Sequence, residues 1–185
     1  LVKEVLEELR ATFGDNFCLI AGNVATLDGI NALADWGANA VRCNVGSGSI
    51  CSTKIQTGSG VPGLQTILDC YHTDRNVTII ADGGIRNSGD IVKMLAAGAD
   101  ACMLGSLLSG TDESPGEVIY TDEGKRKTYR GMASMEAQFD WHGRASSLEG
   151  ISTTVQYKGA VKDIVNNLTQ GLRSGMSYSG ARTIT

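Results

Sequence analysis

A chain of 185 residues, 42% apolar and 19% charged, is long enough for one compact domain, and its composition excludes both disorder and a fibrous repeat. A net charge of −4, with 16 basic residues spread along the chain, leaves no footprint for nucleic acid, and no apolar run approaches the ~20 residues of a membrane span. Glycine is in excess at 24 residues, about 13% against a usual share of about 7%, so tight backbone geometry must recur.

Residues 1–13 place Leu1, Val2, Val5, Leu6 and Leu9 at helical spacing, and Gly14 and Asp15 end the pattern. This start reads as an amphipathic helix and not as a signal peptide. Residues 17–21 form a short apolar strand, followed by a helix over 27–36. The cycle repeats with a strand over 40–45, a glycine-rich loop and a helix over 62–71, then a strand over 77–81 and a helix over 90–97. Residues 101–104 supply a fourth strand. Beyond Thr111, residues 118–120 and 127–130 flank Asp122-Glu123-Gly124 as a hairpin would, and a polar, mobile loop runs on to Ser152. A helix over 161–172 closes the chain, with Gly171 and Gly175 near its end.

Apolar strands alternating with amphipathic helices predict a parallel α/β fold. Each strand ends in glycine-rich or polar sequence, so one functional face gathers at the carboxyl ends of the strands. A (β/α)8 barrel takes about 250 residues and eight strands. Four parallel strands alone leave two exposed edges, so the expectation is a fragment of a TIM-type barrel, or a half whose upstream strands come from another segment, with residues 1–185 giving about four β/α units and residues 117–152 inserted as hairpin and active-site loop.

Asp82-Gly83-Gly84 and Gly105-Ser106 close two consecutive strands, where glycine either lets backbone N–H groups approach a phosphate or simply makes a tight turn. Residues 44–51 form a glycine-serine loop ending in Cys51. A loop thiol near backbone dipoles is a candidate nucleophile, with a packed structural thiol as the alternative. Cys18, Cys43 and Cys102 fall inside strands, and Cys70 falls on a helix. Five cysteines with no C-x-x-C pair suit a reducing, cytoplasmic setting. His72 and His142 stand at no metal-ligand spacing. Trp36 is expected to pack its helix on the sheet, and Trp141 to cover or anchor the loop.

The stretches IAGNVAT (20–26), GSGSICST (46–53), IADGGIRNSGDI (80–91), MLGSLLSGTDESPGE (103–117), YRGMAS (129–134) and YKG (157–159) resemble the IMP dehydrogenase and GMP reductase family, in its order and over most of the chain. The resemblance implies the C-terminal half of that family's barrel and a purine 5′-monophosphate oxidoreductase. In this family Cys51 would attack C2 of the purine. Thr53 would assist, together with a glutamate for which Glu136 is the candidate. Ser49, Asp82, Gly83, Gly84, Gly105, Ser106 and Tyr129 would hold ribose and phosphate, while Met132, Ala133 and Glu149 would lie along the base. Asn23 would face the cofactor, NADPH or NAD, and carbonyls of Gly46, Gly48 and Cys51 would bind potassium. The family partners are GMP, IMP or XMP in a homotetramer.

Two reactions divide the family. IMP dehydrogenase uses an Arg-Tyr pair on a flap to activate water, whereas GMP reductase releases ammonia with a threonine and a glutamate assisting. Residues 131–150 contain no Arg-Tyr pair, and TGSGVP (57–62) leans the same way, so GMP reductase leads. IRNSGDI and LGSLLSGTDESPGE lean toward the dehydrogenases. IMP dehydrogenase is thus the alternative, and a nucleotide-binding module without catalysis the next.

Overall fold

Alternate residues of two neighbouring strands set up the core. Val41 and Cys43 on β2 (Ala40–Cys43) and Ile79 and Ala81 on β3 (Thr78–Asp82) are buried against helices. In the computed structural model, which describes residues 1–146 and 149–184, these strands lie between β1 (Ile20–Val24) and β4 (Ala101–Met103). All three pairings are parallel, in the order β1-β2-β3-β4. The helices α2 (Leu27–Asp35), α4 (Gly63–Cys70) and α5 (Ser88–Ala96) cover one face with Ile30, Leu33, Ile67, Ile91 and Met94. Each such side chain contributes about 1.5–3 kcal/mol by leaving water.

The other face carries polar groups. Arg42 pairs in register with Gly22 and Ile80, so Arg42 and Asp82 project from the same side of adjacent strands. Gly22 is needed there, because a Cβ at that position would lie 2.8 Å from Arg42 Cβ. The β1–β2 register jumps from Gly22↔Arg42 to Val24↔Cys43, which leaves Asn23 as an extra residue on β1. Such a bulge re-aims a side chain, here toward Asp82.

After β4 the chain builds an antiparallel sheet from β5 (Val118–Thr121), β6 (Gly124–Arg130) and β7 (Ser152–Gln156), in the order β5-β6-β7. The buried Lys127 ties this sheet to the preceding loop, donating to the carbonyls of Thr111 at 2.8 Å, Asp112 at 3.4 Å and Ser114.

Several elements differ from the sequence reading. The first strand starts at Ile20, not residue 17: Asn39 Oδ1 accepts the Leu19 N–H at 2.8 Å, and the pairing with β2 begins beyond it. Cys18 is accordingly exposed and outside the strand, while Cys43 and Cys70 are buried. The polar stretch read as a mobile loop contains the helix α6 (Met135–His142), which carries an exposed Trp141, and β7 begins where that stretch ends, over residues for which no strand was expected; Ser147 and Leu148 lie outside the described residues. Ser134 caps α6 by accepting the Ala137 N–H, and Gly143 closes it in the left-handed conformation.

The last helix, α7 (Val161–Ser179), does not stop at Leu172. Gly171 and Gly175 are packing positions and not terminators: a Cβ at Gly171 would meet Ser88 Oγ at 2.0 Å, and one at Gly175 would meet Val92 at 2.5 Å. The glycines thus let α7 lie close on α5. The helices α1 (Val2–Phe13) and α3 (Thr53–Thr57) complete the fold. Among the described residues no helix is long and apolar enough to cross a membrane.

Candidate active site

The loop after β2 is organised by its own backbone. Asn44 stands at φ 130°, its side-chain carbonyl accepts from Ser47 Oγ at 2.8 Å, and the Cys51 N–H donates to Gly48 O at 3.1 Å. This loop is then stitched to a segment a hundred residues away. Ser52 N–H donates to Glu149 O at 3.0 Å, Ile151 N–H donates to Ile50 O at 3.2 Å, and Cys51 and Gly150 form an antiparallel bridge.

That ladder brings an acid to the thiol. Cys51 Sγ donates to Thr53 Oγ1 at 3.2 Å, and Thr53 Oγ1 donates to Glu149 Oε2 at 2.7 Å. A thiol, a hydroxyl and a carboxylate in series form a path along which a proton can leave sulfur. Cys51 is half-buried. The two strand thiols, Cys43 and Cys102, are poor nucleophiles. The adjacent Cys70 thiol and burial both push Cys43 up, and burial pushes Cys102 up.

Cys51, Thr53 and Glu149 line a cavity of about 350 Å³. Its far wall is made by Asp82, Gly83, Gly84, Gly105 and Ser106, from the ends of β3 and β4. Ser49, Tyr129, Met132 and Ala133 complete it, with Ser49 Oγ and Tyr129 Oη 3.5 Å apart. Among the described residues, the N–H groups of Gly84 and Ser106 donate to no protein acceptor, whereas that of Gly83 reaches Met103 O at 3.5 Å. Unspent amides in a glycine turn suit an anion.

Two candidates lie elsewhere. Glu136, in the first turn of α6, lines a separate cavity of about 840 Å³ with Arg130 and Glu117, and does not line the Cys51 cavity. Glu149 occupies the place beside Thr53 that the sequence reading gave to Glu136. Asn23 does not line the Cys51 cavity either; its Nδ2 donates to Asp82 Oδ2 at 2.7 Å and to Asn44 O at 3.0 Å. Gly48 lines the Cys51 cavity, and Gly46 sits behind it against Lys54.

The sequence reading missed Arg42, whose Nε and Nη2 donate to Asp82 Oδ2 at 3.0 and 2.7 Å. Its only signal was a charged residue in an otherwise apolar strand.

Over residues 1–185 the sequence matches the model of the IMP dehydrogenase / GMP reductase domain. The chain belongs to the IMP dehydrogenase and GMP reductase family. It is 50% identical over 194 aligned positions to an inosine-5′-monophosphate dehydrogenase from Aquifex aeolicus (strain VF5), covering 99% of this chain and 39% of that protein. It is 49% identical to the inosine-5′-monophosphate dehydrogenase of Nitrosopumilus maritimus (strain SCM1), covering 90% of this chain and 38% of that one. A crystal structure of a cysteine-to-alanine variant of GMP reductase from Trypanosoma brucei, in complex with guanosine 5′-monophosphate, superposes with a TM-score of 0.91 at 44% identity, over 98% of this chain and 39% of that one. The chain thus spans about two-fifths of the length of these family relatives.

Proposed function

We propose that this chain carries the covalent centre of a purine 5′-monophosphate oxidoreductase, and that its reaction is that of a GMP reductase: GMP and NADPH to IMP and ammonia. The observation that carries the reading is the series Cys51–Thr53–Glu149. Purine C2 would lie opposite Cys51, the ribose against Asp82, and the phosphate on the amides of Gly84 and Ser106, bordered by Gly83, Gly105, Ser49 and Tyr129. Met132 and Ala133 would flank the base.

In the proposed reaction the Cys51 proton passes to Thr53 as the hydroxyl proton of Thr53 passes to Glu149. The sulfur forms a bond to C2. The bond from C2 to its amino group breaks, and Glu149 returns the proton to the departing amine, so that ammonia leaves and no net proton is consumed in this half. A nicotinamide cofactor, when bound, supplies the hydride that C2 then accepts. The C2–sulfur bond breaks as the thiolate is released, and a proton from solvent restores the thiol.

Both Nδ2 hydrogens of Asn23 are spent on Asp82 and Asn44, which leaves its amide oxygen to accept from a carboxamide. That chemistry fits a nicotinamide. The donor set proposed for potassium, the carbonyls of Gly46, Gly48 and Cys51, consists of neutral hard oxygens, and Gly48 O keeps a second lone pair beyond the one used by Cys51 N–H. It fits a monovalent cation. In this reading the four parallel strands are part of a (β/α)8 barrel, with the hairpin and loop of residues 117–152 as its insertion, in a cytoplasmic homotetramer.

The specific alternative is IMP dehydrogenase, favoured by the names of the relatives at 50% and 49% identity. That reaction needs a group to activate water, and loop 131–150 offers Arg144 without a neighbouring tyrosine. Incubation with GMP and NADPH, and separately with IMP and NAD, decides between them. Consumption of NADPH with release of IMP supports the reductase; XMP and NADH formed only in the second mixture replace it by the dehydrogenase. Cys51→Ala should stop either reaction while nucleotide binding survives.

A further inference from the structure

Asp82 is held by one oxygen only. Its Oδ2 accepts three N–H groups, from Arg42 Nε at 3.0 Å, Arg42 Nη2 at 2.7 Å and Asn23 Nδ2 at 2.7 Å. Its Oδ1 has no partner among the described residues, and the side chain, 16% exposed, lines the cavity that holds Cys51. A carboxylate is an acceptor without a donor, so the free oxygen can take a hydroxyl but repels phosphate and gains nothing from a carbonyl.

Arg42 makes this asymmetry durable. Two donors of a rigid guanidinium on a single oxygen fix the carboxylate's rotation more firmly than one ammonium would. The fork itself is set by the sheet, because Arg42 stands on β2 opposite Gly22, and the bulge at Asn23 adds the third donor from β1. Neither Arg42 nor Asn23 lines the Cys51 cavity.

We propose that Arg42 is a positioning residue for sugar recognition: by fixing Asp82 Oδ2 it presents Oδ1 to a ribose hydroxyl, and so makes the site prefer ribonucleotides to their 2′-deoxy counterparts. This rests on the nucleotide reading given above and names the group that determines its sugar specificity. Loss of Arg42 frees the carboxylate to rotate, which weakens the contact with the 2′-hydroxyl but leaves base and phosphate contacts in place.

The test is calorimetric titration of the protein with IMP, GMP and their 2′-deoxy forms, using the wild type, Arg42→Gln, Arg42→Lys, Asp82→Asn and the Arg42→Gln/Asp82→Asn pair. A hydroxyl bonded to a charged acceptor corresponds to a preference of roughly tenfold or more for the ribonucleotide in the wild type. Arg42→Gln should reduce that ratio to within about twofold of unity, with 2′-deoxy affinity unchanged, which also reports an intact fold. Arg42→Lys should fall between, and the double variant should lose no more than Asp82→Asn alone. A wild type that binds ribo and 2′-deoxy forms equally overturns the inference, as does an Arg42→Gln protein that keeps the wild-type ratio. Failure of the wild type to bind any of the four nucleotides overturns the nucleotide reading itself, and this inference with it.

Discussion

Thr53 Oγ1 donates to Glu149 Oε2 at 2.7 Å while accepting from Cys51 Sγ at 3.2 Å. One hydroxyl therefore stands as both acceptor and donor between the sulfur and the carboxylate, the arrangement a proton relay needs. Glu149→Gln should lower kcat by about 10²–10⁴-fold, the usual scale for a lost proton-transfer group, with little change in nucleotide affinity. Thr53→Val should do the same. Groups acting as a unit are not additive, so the double variant should be no slower than the worse single one. Steady-state rates beside binding titrations check this; multiplicative losses would show that the two residues act separately.

Lys127 is 4% exposed, and its ammonium is surrounded by backbone carbonyls of the loop that follows β4. Lys127→Met leaves those carbonyls without their donor and should cost about 2–4 kcal/mol, the range for disrupting a buried charge-assisted set. Urea denaturation should show a lower midpoint at constant slope. An unchanged midpoint would mean that water replaces the ammonium without cost.

Gly175 faces Val92 where α7 crosses α5. Alanine is favoured over glycine in a helix by about 1 kcal/mol, but a methyl group 2.5 Å from Val92 forces an overpacking cost of about 1–3 kcal/mol. Gly175→Ala should therefore be neutral to destabilising in the natural background and stabilising in a Val92→Ala background. A double-mutant cycle measured by thermal or chemical unfolding reads the sign of the coupling.

Asp90 accepts from Lys93 Nζ at 2.9 Å and from the Arg86 N–H at 3.0 Å, and its own N–H is capped by Asn87. The Lys93 ammonium, then the Arg86 N–H, hold its carboxyl below the ordinary value of 3.8. A depressed carboxyl stabilises the fold above the unfolded-state value, and that contribution disappears as pH falls through the folded-state value. Stability should therefore decline on acidification from about pH 5 downward, and Asp90→Asn should flatten that limb. Unfolding midpoints between pH 7 and pH 3 test it; parallel curves for variant and wild type would assign the acid sensitivity to other groups.

The strands and their helices were legible because apolar runs such as those around Val41 and Ile80 must leave water beneath covering helices, and the turn residues between them mark the strand ends. The first strand was displaced because Asn39, not the apolarity of Phe17, fixes where pairing with β2 begins. β7 was hidden because its residues, Ser152–Gln156, are β-branched and polar rather than alternating with apolar ones. Cys51 and Thr53 were readable from one loop. The contact of Glu149 with Thr53 was not, since it forms only through pairing between segments nearly a hundred residues apart, and the family resemblance placed Glu149 along the base and pointed to Glu136 as the assisting glutamate. Arg42 escaped for a related reason: an arginine in a strand declares its partner only once the neighbouring strand is in register.

The bridge between Cys51 and Gly150 makes order in two distant loops a single thermodynamic event. A ligand that immobilises either side gathers sulfur and acid together, and a perturbation that frays the ladder disarms both at once. The approach of the carboxylate to the thiol is thereby conditional on a correctly paired far segment.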